Sequence, residues 1–191
     1  MARPRTFDPD KVLNTARDIF WRKGYQGTSF DDITTETGLT KPSLYAAFGD
    51  KASLFLKILD RYHDFLLSLS AKALTTGPSA RDSITSWLTG LLPYFSGSEA
   101  RRGCLSVNTL TDSSLDNDAL GKSVADFNSR LENLVLTRLE SDRAQFSEEF
   151  DPAATARAIM AIYFGLLVMA RQSPSPKKVK AVIGQISKLL A

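Results

Sequence analysis

GYQGTSFDDITTETGLTKPSLYAAFGDK, residues 24–51, sets helix stops and starts so close together that two short helices must fold over a tight turn. Gly24 ends one helix. Thr28 and Ser29 offer hydroxyls to cap the next, and Asp31 and Asp32 sit in its first turn, where the helix dipole favours negative charge. Gly38 supplies the left-handed position after that helix. Thr40 caps again, and Lys41-Pro42-Ser43 opens a third helix with proline near its start. Gly49 stops it after Phe48, and Asp50 caps a fourth.

A helix, a short turn and a second short helix form the helix-turn-helix unit, whose second helix enters a DNA major groove. Ile33, Leu39, Leu44 and Phe48 are apolar at spacings that bury the two helices against each other and against the helix before. Thr40, Lys41, Ser43 and Tyr45 are left at the open start of the third helix. Such side chains donate to phosphates or touch base edges and thymine methyls.

In order and spacing, Gly24-Tyr25, Thr28-Ser29, Asp32-Ile33, Gly38-Leu39, Thr40-Lys41, Ser43-Leu44-Tyr45, Phe48 and Lys51 resemble the TetR/AcrR-type bacterial transcriptional repressors. The resemblance covers roughly the first quarter of the chain, and an ordered set of this kind is more specific than a lone short motif. It implies an all-α homodimer with an N-terminal three-helix DNA-binding domain and a larger C-terminal helical domain for effector binding and dimerisation. It also implies that Tyr45 and Lys51 contact phosphates, with Thr40, Lys41 and Ser43 nearby and Thr28 reaching the DNA backbone. Lys51 would act on the same phosphate as the start of the fourth helix.

The whole chain has 191 residues, 43% hydrophobic and 24% charged, as in an ordinary globular protein. One cysteine excludes an internal disulfide framework and fits a reducing cytoplasm. The N-terminal MARPRTFDPDKV has no apolar core of a secretory signal, and no run of 18 apolar residues suggests a membrane span. The net charge of +3 says little about nucleic acid. Within residues 1–50 the basic Arg3, Arg5, Lys11, Arg17, Arg22, Lys23 and Lys41 are matched by the acidic Asp8, Asp10, Asp18, Asp31, Asp32, Glu36 and Asp50. A DNA role must therefore rest on where the charges sit. Arg3 and Arg5 suit an arm reaching the minor groove or flanking phosphates, or a solubilising tail.

Asp8-Pro9 starts the first helix, with Val12, Leu13, Ala16, Ile19 and Phe20 at helical spacing. The fourth helix is expected from Asp50 through Leu54, Phe55, Ile58, Leu59, Tyr62, Phe65, Leu66 and Leu69 towards Thr75. A domain boundary between residues 50 and 51 follows. Ile84 to Phe95 reads as one amphipathic helix, Cys104 to Leu110 as a short apolar piece, 111–118 as a polar connector, and 124 to about 146 as a long helix. Asp151-Pro152 opens a helix whose Ala158–Ala170 part carries no charge. That part is too short for a membrane, and an apolar helix of this kind is expected to be buried all round. The last helix, after Pro176, is amphipathic. These two helices suggest a dimer face of Ile162, Leu166, Leu167, Val179, Ile183 and Ile186.

Enzyme chemistry is poorly supplied. The lone His63 reads as a partly exposed helix residue, and no His/Cys/Asp cluster has metal-ligand spacing, so neither metal nor cofactor is expected. Asp112, Ser114, Asp116 and Asp118 hint at a calcium loop, but its glycine and closing glutamate are missing. In the larger domain the aromatic stripe reads as core or as a cavity lining. Trp87, Tyr94, Asn108 and Tyr163, whose polar atoms need partners, join Phe127 and Cys104 as pocket candidates. Arg102-Gly103-Cys104-Leu105-Ser106-Val107-Asn108 resembles a subgroup with a Gly-Cys-Leu motif. That resemblance implies a cysteine sensor of electrophiles aided by a later lysine; Arg171 stands at that place here. A free cysteine is more commonly a small buried apolar residue.

The expected function is a transcriptional repressor on an inverted-repeat double-stranded DNA operator, released by a small-molecule inducer or electrophile signal. The alternative is a helical ligand-binding or interaction module without DNA function.

Overall fold

The computed structural model describes residues 7–95, 102–112 and 118–190. Every regular element among them is helical: α1 Pro9–Lys23, α2 Phe30–Thr37, α3 Lys41–Phe48, α4 Lys51–Thr75, α5 Ala80–Thr89, α6 Leu105–Thr111, α7 Asp118–Ser141, α8 Pro152–Ala170 and α9 Pro176–Leu189. The fold is all-α, as the sequence indicates. Two compact units share the chain. One comprises residues 1–62 and 108–124, the other 63–107 and 125–191. The division thus falls within α4 and not at 50/51, and the first unit also takes in most of α6 and the start of α7. Short-range sequence signals cannot show such a return of the chain.

The first unit is fixed by its caps and its aromatic core. Asp8 accepts from the amides of Asp10 and Lys11 at the start of α1. Ser29 and Asp32 form a reciprocal capping box on α2, and Asp50 accepts from the Ser53 amide at 2.7 Å on α4. Phe20 of α1 meets Phe55 of α4 with ring centroids 4.6 Å apart, and Tyr25 meets Phe55 at 5.2 Å. Ile33, Leu44 and Leu54 are completely buried in this unit.

In the second unit α5 ends at Thr89, and Leu92–Phe95 forms a separate 3-10 turn in place of one helix to Phe95. Gly90 closes α5, and Pro93 lacks the amide that would continue the helix. The long helix α7 stops at Ser141 rather than near Phe146, and a 3-10 turn, Arg143–Gln145, follows. Here Asp142 holds Arg138 at 3.0 Å and also accepts from the Ala80 amide at the start of α5. Arg138 donates to Ser83 at 3.1 Å, so this half-buried pair ties α7 to α5 with its polar atoms satisfied.

Three expectations change. First, α8 is 19 residues long and, by length and composition, long and apolar enough to cross a membrane. The turn before Ala158 supplies the extra length, and it carries Arg157, paired with Glu132 of α7 at 3.5 Å. Second, α8 is not buried all round. Ile159, Met160, Tyr163, Leu166, Leu167 and Ala170 pack inside the unit, while Ala158, Ala161, Gly165 and Val168 are exposed. Third, Phe65, Leu69 and Tyr94, read from the stripe as interior, are exposed.

His63 is also corrected, from partly exposed to buried. Its Nε2 lies 2.7 Å from the Ser106 hydroxyl, and its ring stacks on Phe127 at 4.4 Å. Burial pushes its pKa down to about 4, opposed by Asp64; Arg130 lowers it further and Asp126 raises it. The folded form therefore holds a neutral imidazole that the unfolded chain protonates below about pH 6.5. Stability from this group is fully present above about pH 6.5 and is lost as pH falls towards 4, by about 2–3 kcal/mol in all. Urea midpoints measured between pH 8 and pH 4 should fall in that window for the wild type. They should fall less for His63→Gln.

Candidate nucleic-acid interface

The turn between α2 and α3 depends on Gly38, whose backbone is left-handed at φ 71°. A side chain there would be strained. Its amide closes α2 on the Thr34 carbonyl at 2.8 Å, and α3 then starts three residues later. Thr40 caps α3, accepting from the Ser43 amide at 3.4 Å while the two hydroxyls lie 2.9 Å apart. Leu44 and Phe48 turn inward from α3, so the helix is anchored on one side only.

On the other side, Thr40, Lys41 and Tyr45 are exposed and Ser43 is half-buried, all within the first five residues of α3 and its cap. Tyr45 is 54% exposed; its ring rests on Phe30 at 4.5 Å, which holds the phenol outward. Lys51 opens α4. Its ammonium lies 4.5 Å from the centre of the Tyr25 ring and 3.5 Å from the Gln26 carbonyl. Partial burial lowers its pKa against the opposing pull of Asp112 and Asp32.

Thr28 leaves the candidate set as a side-chain donor. It is buried, and its hydroxyl donates to the Gly24 carbonyl at 2.7 Å. Ser29 alone caps α2. Arg3 and Arg5 lie outside the described residues.

Charge pairing is what sequence reasoning missed at this surface. Lys41 pairs with Asp31 at 2.8 Å, Lys23 with Asp32 at 2.5 Å, and Arg22 with Glu36 at 3.8 Å. The hydrogen bond to Asp31 raises the Lys41 pKa, and that from Lys23 is the largest cause holding Asp32 down to about 2. The signal was present in the matched charges of residues 1–50, but pairing across the turn needs the fold.

The profile of the family described as "Bacterial regulatory proteins, tetR family" matches residues 12–58, which span α1 to the middle of α4. A TetR-type regulator from Rhodococcus sp. RHA1 is 31% identical, with 95% of this chain and 98% of that one aligned at a TM-score of 0.61. The chain belongs to the TetR family. The TetR family transcriptional regulator CifR, as a cysteine mutant complexed with double-strand operator DNA, aligns over 99% of this chain and 100% of its own. Its TM-score is 0.88 at 29% identity. The HTH-type transcriptional repressor ComR of Escherichia coli K12 is 27% identical over 98% of this chain and 90% of ComR.

In this TetR-family chain the pocket candidates are divided between the two units. Trp87, Tyr94, Cys104, Phe127 and Tyr163 belong to the second unit, whereas Asn108 belongs to the first. Trp87 stacks on Tyr163 at 4.8 Å and donates to the Ser70 hydroxyl at 3.0 Å. Burial, then the neighbouring Cys104 and Tyr94, raise the Tyr163 pKa. Cys104 is buried just before α6, and Phe127 is buried under His63. Tyr94 is 58% exposed and lines no closed core. Elsewhere in this unit Ser79, Ala80, Arg81, Gln145, Phe146 and Leu190 line a cavity of about 230 Å³. None of these six was singled out from sequence.

Proposed function

We propose that this TetR-family regulator represses transcription as a homodimer that binds an inverted-repeat operator through α3 and the start of α4, and leaves it when its second unit takes up a signal. The exposed Thr40, Lys41 and Tyr45 beside the inward Leu44 and Phe48 carry this reading. That arrangement gives a rigid helix with one polar face to offer a major groove. The CifR complex with operator DNA supports it. Two such helices would reach half-sites roughly 34–36 Å apart. The chain is read as a regulator rather than an enzyme, working in the bacterial cytoplasm where the chromosome lies.

Tyr45→Ala and Lys51→Ala should each weaken operator binding while leaving the melting temperature within a few degrees of wild type. Each lost phosphate contact should reduce the slope of log affinity against log salt by about one. Anisotropy titrations across a potassium chloride series would check this. Unchanged affinity in both variants would remove the assignment.

A second copy is expected on α8, but of the six residues the sequence suggested only Ile162 stays in the face. Leu166, Val179, Ile183 and Ile186 are buried in their own unit, and Leu167 is nearly so, which leaves none of the five to face a partner. Ile162 is half-exposed and sits beside the exposed Ala158, Ala161, Gly165 and Val168, which recur at helical spacing on one face. Small residues in that stripe allow close helix approach. Val168→Glu should give a folded monomer by sedimentation, whereas Leu167→Glu should lose the fold. A dimer from Val168→Glu would place the interface elsewhere.

The signal is read as a reversibly bound molecule rather than a covalent change, because Cys104 is only 4% exposed. Thiolate chemistry needs access. Native protein treated with a maleimide should keep its unmodified mass, and urea-unfolded protein should gain one adduct. Rapid native labelling coupled to DNA release, absent in Cys104→Ser, would restore the sensor reading implied by the Gly-Cys-Leu resemblance.

A further inference from the structure

The Lys41–Asp31 pair joins the first residue of α3 to the first turn of α2, across the turn that presents α3. Its side chains are 50% and 72% exposed, so the pair is open to solvent and held by little else. It is one of several. Arg17, Arg22, Lys23 and Lys41 each have a carboxylate within 2.5–3.8 Å, and all four partners lie in α1 or α2. In a surface built to meet a polyanion, such carboxylates oppose binding. They attract the cations that a phosphate needs and repel the phosphate itself.

We infer that Asp31 is a counter-charge on Lys41, so that DNA binding at this point is an exchange of the Asp31 carboxylate for a backbone phosphate. The inference rests on the DNA-binding reading above. Asp31 touches no DNA in this account and acts only through Lys41. Asp32 is different: it closes the capping box with Ser29 and is needed for α2 itself. Asp31 takes no part in the cap; its side chain pairs with Lys41, while its backbone carbonyl accepts from Thr34 and Thr35. Its carboxylate can therefore be altered with the helix intact.

Two consequences follow from the exchange. In the complex, Lys41 and Asp31 together bring no net charge to the phosphates, so the pair releases fewer counterions than a lone lysine would. Affinity for any duplex is held down by the work of parting the pair and by the carboxylate left near the phosphate.

The test is Asp31→Asn, with Asp31→Glu, Lys41→Gln and the double variant Asp31→Asn/Lys41→Gln, each titrated on a labelled operator duplex and on a scrambled duplex over a salt series. Asp31→Asn should tighten binding to both duplexes roughly three- to tenfold at low salt. It should also steepen the slope of log affinity against log salt by about one. Asp31→Glu should keep the wild-type slope, and adding Lys41→Gln to Asp31→Asn should abolish the gain. Melting temperatures serve as the fold control. If wild type binds the operator but Asp31→Asn has the same affinity and slope, the inference is overturned while the DNA reading stands. Weaker binding by a folded Asp31→Asn also overturns it, because Asp31 would then be holding Lys41 for a base contact. If wild type binds no duplex, both fall together.

Discussion

An eight-residue helix has almost no stability of its own in water, because nucleation costs more than so few hydrogen bonds return. α2 and α3 are both of that length. They exist only because tertiary burial holds them, through Phe30 and Ile33 of α2 and Leu44 and Phe48 of α3. Each buried side chain of that size contributes about 1.5–3 kcal/mol relative to exposure. That anchoring lets the opposite face be chosen for contact and not for stability. Thr40, Lys41 and Tyr45 are polar and exposed because α3 does not need them for its fold.

The same economy shapes the electrostatics. The first unit offers no net excess of positive charge over residues 1–50; Arg22 and Lys23 of α1 pair with α2, and Lys41 pairs across the α2–α3 turn. Exposed pairs of this kind contribute little to stability. Their effect is on how strongly the surface attracts a polyanion. In the second unit several buried or half-buried polar groups find partners. His63 meets Ser106, Trp87 meets Ser70, and Arg138 meets Asp142, which also accepts from the start of α5. Satisfied buried polar groups fix one packing out of several, and they give this unit features that respond to pH and to solvent access.

Local signals made the first unit legible in the sequence. Asp8, Ser29, Thr40 and Asp50 each cap a helix as their neighbours suggest, and Gly24, Gly38 and Gly49 all have positive φ where a helix must stop. What the sequence could not show was long-range. Thr28 and Ser29 are both good caps on paper, and only the fold shows Thr28 turned inward onto the Gly24 carbonyl. The Ala158–Ala170 part of α8 has no charged residue to mark its outer face, so periodicity could not separate the inward Leu166 and Leu167 from the outward Val168. His63 lies between Tyr62 and Asp64, and nothing local signals Ser106, 43 residues away, as its partner. Asp31 reads as a dipole residue until Lys41 is brought beside it.

The central claim is that α3 and the start of α4 form a sequence-reading surface presented twice by a dimer. Selection of bound duplexes from a random-sequence pool tests it most directly. The account predicts enrichment of an inverted repeat whose half-site centres lie about one helical turn apart, and loss of that enrichment when Tyr45→Ala and Lys51→Ala are combined. A folded protein that enriches no sequence, or enriches the same sequence with both residues removed, would contradict it.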